Sequence, residues 1–454
     1  GVEVQEIQER NYPKNNFAAH VIGYMGPVAK HHLQKSNDPL LKQPDFRIGR
    51  QGAEAHFDPQ LRGQAGTDHI EVNARGREVR VLSQIQPQHG EDVSLTLISS
   101  IQEAAEKALK GHRGSVSLMD VQSGDILAMA SSPDFNPNNF VYGLGKEGWN
   151  DLKRQKQNPL MNRCCQGRYA PASIFKLIVA LAALEEGIVT PETEIECTGK
   201  IYFGDRYFHC WKKEGHQAVN MHHAIAESCD IYFYELGRKL GINKMKAYAQ
   251  KIGFGEKSGV FLSEEAGILP DNDWKMRNIG HGWREGENLI SAIGQGYILS
   301  TPIQLTTIAA RIATGLMVHP SLVKQNAPQV FAPLPFKKEH LDIVRQAMVA
   351  TVIEPYGTAY ASRLTQTAYG GKTGTSQVVS KRFSKEIALS DIAENERTHA
   401  LFAAFGPSEK PKFALSVLLE NAGSGSHVAA PAGRDVFLTA LQWMRAKEVK
   451  NATI

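Results

Sequence analysis

Tyr169-Ala170-Pro171-Ala172-Ser173-Ile174-Phe175-Lys176 runs directly into eight apolar residues, Leu177 to Leu184. Proline fixes φ and has no N–H to leave orphaned, so Pro171 marks a helix start. Ser173 is then expected in the first turn of a buried helix. Lys176, three residues on, shares its face. A serine hydroxyl is a poor nucleophile until a base takes its proton. A lysine does so when desolvation and nearby cations lower its pKa. The helix N-terminus adds a positive end for a developing oxyanion. The bland alternative is a chance Ser-x-x-Lys on a solvated helix. A lysine placed just before eight apolar residues fits that alternative poorly.

Working outward, Ser100–Gly111 places Ile101, Ala104, Ala105, Ala108 and Leu109 on one stripe. It reads as an amphipathic helix ended by Gly111. Ser115–Val121 and Asp125–Ala130 read as strands, and Gln122-Ser123-Gly124 makes them a hairpin. Upstream, residues 1–92 read as β-rich, with strand-like runs His69–Val72 and Val79–Leu82. Downstream, 160–355 reads as mostly helical. Strands return at Thr398–Phe405 and Lys412–Leu419, after a charged, loop-like segment between Gln377 and Arg397. Gly433–Arg445 reads as a closing helix. Strands, a helical block, strands again and a helix predict one α/β domain with a helical insertion between early and late strands of one sheet.

Two further pieces bear on Ser173. Lys372-Thr373-Gly374-Thr375 follows strand-like residues, and Gly370 and Gly371 allow close backbone approach. Such an edge can pair with an extended peptide while Lys372 attracts its carboxylate. Ser228-Cys229-Asp230 falls in a break between helices, where residues at i and i+2 of an extended loop share a side. Other matches are weak. Gly143-Leu144-Gly145-Lys146-Glu147-Gly148 has the dinucleotide pattern without its preceding strand. Gly371-Lys372-Thr373 ends like a phosphate loop, but Gln366 stands where a glycine is required.

Ser-x-x-Lys, Ser-x-Asp and Lys-Thr-Gly, in that order, resemble the penicilloyl-serine transferase superfamily. Arg10-Asn11-Tyr12-Pro13, Gly49-x-x-Gly52-x-Glu54, Leu61-Arg62-Gly63 and Gly66 resemble the pedestal signature of class B penicillin-binding proteins. Gly294-Gln295-Gly296 and Thr301-Pro302-Ile303-Gln304 are similar to their helical subdomain. Trp211 to His216 and Asp230 resemble the elongation-type subgroup, penicillin-binding protein 2. Ala53 and Ala172 stand where that family more usually has Leu or Ile and Gly, and Asp230 where most relatives have Asn. An ionised Asp230 only accepts hydrogen bonds, so Lys176 or Lys372 is its natural donor.

The resemblance implies a mainly antiparallel sheet flanked by helices. A partial pedestal (dimerisation-type) domain would cover 1–92 and a transpeptidase domain 93–454. It implies a peptidoglycan D,D-transpeptidase of cell-wall elongation, inhibited by β-lactams. Ser173, Lys176, Ser228, Asp230 and Lys372 would be catalytic. Thr373, Gly374 and Thr375 would bind the substrate carboxylate, and the N–H groups of Ser173 and Thr375 would form the oxyanion hole. A D,D-carboxypeptidase and a non-hydrolytic β-lactam sensor share the acylation half. A β-lactamase fits poorly, because the Glu-x-x-Leu-Asn run of class A enzymes is absent. Implied partners are stem peptides, β-lactams, a membrane glycosyltransferase and scaffold proteins of the elongation machinery.

Cys197, Cys210, His216 and Cys229 form a second candidate set. The spacing is not that of a compact zinc finger, but three Cys and one His make a closed tetrahedral zinc set. Cys229, between Ser228 and Asp230, is expected to point away from the cleft, so a structural zinc would pin the catalytic loop. Some elongation-type relatives are expected to hold a metal in this stretch on mixed ligands. A Cys197–Cys210 disulfide and buried free thiols are the alternatives. Cys164 and Cys165 read as packing residues, since bridging adjacent cysteines strains the bond.

Composition agrees with a globular protein: 42% of the 454 residues are apolar and 22% charged. Lys+Arg at 51 against Asp+Glu at 47 gives no support to nucleic-acid binding. The apolar run Leu177–Leu184 is far short of the roughly 18 residues needed for a membrane span. The chain starts at Gly1, with its first Met at 25. With the resemblance, the expectation is an ectodomain at the periplasmic face of the bacterial inner membrane, cut from a single-pass N-terminal anchor.

Overall fold

The computed structural model of the chain describes residues 9–325, 327–377 and 394–452. Most of the charged segment between Gln377 and Arg397 lies outside the described residues. The chain divides into two units. The first takes the described residues up to Leu95 together with Asp134–Leu160 and Phe261–Ser263. Its apolar centre is Ala19, Tyr24, Phe135 and Phe140, surrounded by Leu144, Trp149, Leu152 and Leu160. The N-terminal stretch therefore does not close a core alone; residues beyond 134 supply most of its large side chains.

In this unit β1 (Met25–Pro27) pairs antiparallel with β2 (Arg47–Gly49). Arg10 Nη2 donates to Glu54 Oε2 at 3.1 Å, with Arg10 Nε 2.9 Å from Oε1 as an ion pair, and Tyr12 Oη donates to Oε1 at 3.1 Å. Glu54 is only 6% exposed, and a buried carboxylate needs such partners. The two N-terminal signatures thus meet in one cluster. β3 (Thr67–Val72) and β4 (Glu78–Ile85) form an antiparallel hairpin whose side chains are all exposed.

The second unit is built on one antiparallel sheet of β5 (Gly114–Asp120), β6 (Ile126–Ser132), β11 (Gly370–Ser376), β12 (His399–Gly406) and β13 (Phe413–Leu419). The order is β11-β12-β13-β5-β6, so early and late strands meet at β13–β5 as expected. Helices Ser99–Ala108 and Ala430–Ala452 cover one face, burying Ile101, Ala105, Val436 and Phe437 against Val116, Leu118, Phe402 and Leu415. Helix Pro302–Thr314 lies along β5, β12 and β13, with Thr306 hydrogen-bonded to Ser416 at 2.7 Å.

Between β6 and β11 lies the insertion. It is helical, as expected, but not throughout. Four short strands interrupt it: β7 (Ile195–Cys197), β8 (Lys200–Phe203), β9 (Arg206–His209) and β10 (Gln217–Val219). β7 pairs with β10 and β8 with β9. Strands of three or four residues carry too little alternation to be read from sequence. Helix Lys176–Glu185 buries nine of its ten residues and has no polar face. Ser173 lies just before it, in a 3-10 turn of Ala172–Ile174, rather than in the α-helix itself.

Candidate active site

The turn that presents Ser173 is fastened from several directions. Tyr169 and Ser300 exchange backbone hydrogen bonds at 2.8 Å each way, and Ala172 N donates to Gly294 O at 2.9 Å. Tyr169 Oη donates to Glu420 Oε1 at 2.6 Å, which also accepts from Arg163 Nε at 2.8 Å. Ala172 itself holds φ at 48°, in the left-handed region.

Lys176 is fully buried. Its Nζ donates to Asp230 Oδ1 at 2.7 Å, Ser228 O at 2.9 Å and Ser228 Oγ at 3.2 Å. All three donors are taken, as a buried ammonium requires. Ser228 adopts φ 57°. That bend precedes Asp230, the first residue of the helical segment Asp230–Lys251, which breaks at Gly241. It lets the two side chains converge on one amine. Asp230 Oδ2 accepts from Trp211 N at 2.9 Å, and the Trp211 indole N–H reaches Ser228 O at 3.1 Å. Among the described residues Ser173 Oγ makes no hydrogen bond.

Lys372, on β11, is also fully buried. Its Nζ has one hydrogen bond, to Thr373 O at 3.2 Å. Burial, then the charge of Lys176, pushes its pKa well below the ordinary lysine value; Asp230 opposes this. Two buried amines thus share one carboxylate. Asp230 is bonded to Lys176, so Lys372 is the amine driven toward its neutral form.

Among the described residues β11 is the sheet's edge strand. Gly374 lets it lie against the Ser173 turn: a Cβ there would stand 3.3 Å from Pro171 O and 3.4 Å from Ala172 Cβ. Thr375 is exposed, and its Oγ1 accepts from Gly425 N at 3.3 Å. Thr373 is buried, its hydroxyl 2.7 Å from that of Thr358. Sequence reasoning gave no role to Thr358 or Glu420, whose partners lie far along the chain. Nor did it foresee Trp211 N as a partner of Asp230.

Cys197, Cys210, His216 and Cys229 come together beside the site. All four are buried, and their ligand atoms lie within 4.8 Å of one another. His216 Nδ1 is 3.5 Å from both Cys197 Sγ and Cys210 Sγ. Tetrahedral zinc with Zn–S of about 2.3 Å and Zn–N of about 2.0–2.1 Å places S and N roughly 3.6 Å apart. The residues fit that metal. All five cysteines are free thiols, so no Cys197–Cys210 disulfide is present. A hydrogen bond from Cys229, reinforced by His216, pushes Cys210 down to about 3 and Cys197 down to about 6. Cys229 is pushed up by the same bonds. Burial pulls His216 down, but Cys210 and Cys197 outweigh it, and the imidazole is raised. Asp230 N donates to Cys210 Sγ at 3.4 Å, so one residue joins a candidate ligand to Lys176.

Residues 114–438 match the profile of the penicillin binding protein transpeptidase domain, and residues 1–95 that of the penicillin-binding protein dimerisation domain. The chain belongs to the penicillin-binding protein transpeptidase family. It is 37% identical over 448 residues to the peptidoglycan D,D-transpeptidase MrdA of Acinetobacter baumannii, covering 95% of this chain. The chain spans 66% of that protein's length. In structure it is similar to penicillin-binding protein 2 of Helicobacter pylori, solved in complex with MreC. The TM-score is 0.87 at 34% identity, over 96% of this chain and 79% of that one. It is also similar to penicillin-binding protein 2 of Pseudomonas aeruginosa, solved in complex with WCK 5153. There the TM-score is 0.82 at 34% identity, over 95% and 90% of the two chains. The family's three signatures are thus the residues that converge around Ser173, Lys176 and Lys372.

Proposed function

We propose that this chain is a peptidoglycan D,D-transpeptidase of cell-wall elongation, working through a serine acyl-enzyme and open to acylation by β-lactams. The observation that carries the reading is the meeting of three things at one place. They are the Ser173 turn, the hydrogen-bonded Lys176–Ser228–Asp230 group and the edge strand bearing Lys372 and Thr375. Lys176 Nζ is paired with Asp230 Oδ1 at 2.7 Å. Passing its proton toward Lys372, whose burial disfavours holding a charge of its own, by way of Ser228 Oγ, frees the amine that takes the Ser173 proton. Ser173 Oγ then attacks the penultimate D-Ala carbonyl of a donor stem peptide. Backbone N–H groups of Ser173 and Thr375 hold the oxyanion, where losing one donor typically costs about 100- to 1,000-fold in rate. The proton returns to the departing D-Ala nitrogen. Thr373, Gly374 and Thr375 form the wall that receives the terminal carboxylate. An amine from a neighbouring stem then attacks the acyl-enzyme and closes the crosslink.

Fluorescent penicillin tests the nucleophile. The chain is expected to be covalently labelled and Ser173→Ala to be silent. Labelling that persists in Ser173→Ala would refute the assignment.

Cys197, Cys210, His216 and Cys229 are proposed to hold a structural zinc. When bound it supplies a tetrahedral crosslink with no open position for substrate. The ligand chemistry, the burial and the sulfur–nitrogen distances support this. The first domain is proposed to meet a membrane glycosyltransferase and a scaffold protein of the MreC kind, the partner named for the Helicobacter pylori relative. No helix among the described residues is long and apolar enough to cross a membrane. The proposed location, the periplasmic face of the inner membrane, follows from where peptidoglycan lies.

A further inference from the structure

Gln295 stands in the turn Gly294-Gln295-Gly296, between the two walls of the nucleophile's site. On one side Gly294 O accepts from Ala172 N at 2.9 Å. A Cβ at Gly294, where φ is +68°, would lie 2.2 Å from Ala172 O, so the turn presses against the Ser173 turn. On the other side Gln295 reaches β11. Its Nε2 donates to Thr375 O at 3.0 Å, and its Oε1 accepts from Gln377 N at 3.4 Å.

Among the described residues β11 is paired with β12 on one side and with no strand on the other. Along such a strand, alternate residues present both N–H and C=O to the same side. Thr375 and Gln377 therefore offer their polar groups at the free edge. An unpaired edge is a template for another strand, and an added peptide binds it through backbone hydrogen bonds. A carboxamide carries the donor and acceptor of a peptide bond. Gln295 satisfies one edge carbonyl and one edge N–H, as an added peptide would.

We infer that Gln295 is a placeholder for the donor peptide. Its carboxamide occupies the β11 edge in the free protein. It leaves when the amide N–H of the donor stem, or the side-chain amide N–H of a penicillin, takes Thr375 O. The inference rests on the proposed acylation of Ser173. It assigns Gln295 as a specificity-determining residue. Ligands bearing an amide recover the displaced hydrogen bond; ligands without one have nothing to offer Thr375 O.

The test measures second-order acylation constants of the full chain, Gln295→Met and Gln295→Glu. Methionine keeps the length without donor or acceptor, and glutamate keeps the shape without a donor for Thr375 O. The probes are benzylpenicillin, which has a side-chain amide, and imipenem, which has none. Removing the competitor is expected to raise the benzylpenicillin-to-imipenem ratio about five-fold in both variants, the worth of one net hydrogen bond. A ratio that stays the same or falls, or two constants that fall together, would mean a fixed brace and overturn the placeholder. The benzylpenicillin adduct of the unsubstituted chain is expected to place its amide nitrogen on Thr375 O, with Gln295 Nε2 withdrawn. Gln295 still bonded there would also overturn it. A chain that neither compound acylates would overturn the transpeptidase reading and this one with it; acylation with an unchanged ratio overturns the placeholder alone.

Discussion

Ala172 holds φ at 48° immediately before Ser173. An L-residue there crowds its Cβ against backbone, at a cost of roughly 1–2 kcal/mol that glycine does not bear. Ala172→Gly is expected to stabilise the protein by about 1 kcal/mol in urea unfolding. A loss of stability would mean that the alanine methyl's packing outweighs its backbone strain. Lys372 is a second residue kept at a cost. Its folded pKa lies below its unfolded value of 10.5. Below the folded pKa both states bind the proton and the whole burial penalty is present. Between the two values the unfolded state binds more protons, so stability rises with pH. Lys372→Met is therefore expected to abolish acylation yet stabilise the fold, by about 1–3 kcal/mol on the scale of buried-charge replacements. The gain should be larger at about pH 6 than at about pH 9, and a gain that grows with pH would contradict the burial argument. Ser173, Lys176, Ser228 and Lys372 were legible because each sits in a short local motif. The strain at Ala172 was not, since φ leaves no mark on residue type when the usual glycine is absent. The choice of Lys176 over Lys372 as the partner of Asp230 depends on distances that no spacing encodes.

At the scale of elements, the sheet and the insertion differ in how plainly the sequence announces them. β5, β6, β12 and β13 are seven or eight residues long and nearly all buried. Their apolar runs stand out between turns. β7 to β10 have three or four residues each, and a mostly helical reading passed over them. Their contribution is to bring Cys197, Cys210 and His216 to Cys229, beside the helix that begins at Asp230. If zinc holds them, metal analysis is expected to find one zinc per chain. Chelation should release it with three newly reactive thiols and weaken the Trp211–Asp230 contact, slowing acylation. A chain with no bound metal and three thiols reactive from the start would overturn the zinc assignment.

At the scale of the whole molecule, the chain divides into two units, and the first is assembled from separate stretches of chain. Ala19 and Tyr24 of its N-terminal part share one apolar cluster with Phe135, Phe140 and Trp149. Such long-range completion is invisible to periodicity, which reports neighbours in sequence only. The transpeptidase unit was more legible because its three signatures had to meet around one serine. The chemistry assigned to it requires that an amine, not water, resolve the acyl-enzyme. That distinguishes it from a carboxypeptidase and from a sensor that holds its acyl group. The direct measurement is mass spectrometry of the products from a D-Ala-D-Ala-terminated stem peptide, with and without a second stem peptide as acceptor. The expected result is one crosslinked peptide formed for each D-Ala released, only with acceptor present and never in Ser173→Ala. Release of D-Ala to water at the same rate with and without acceptor, or no release at all, would contradict it.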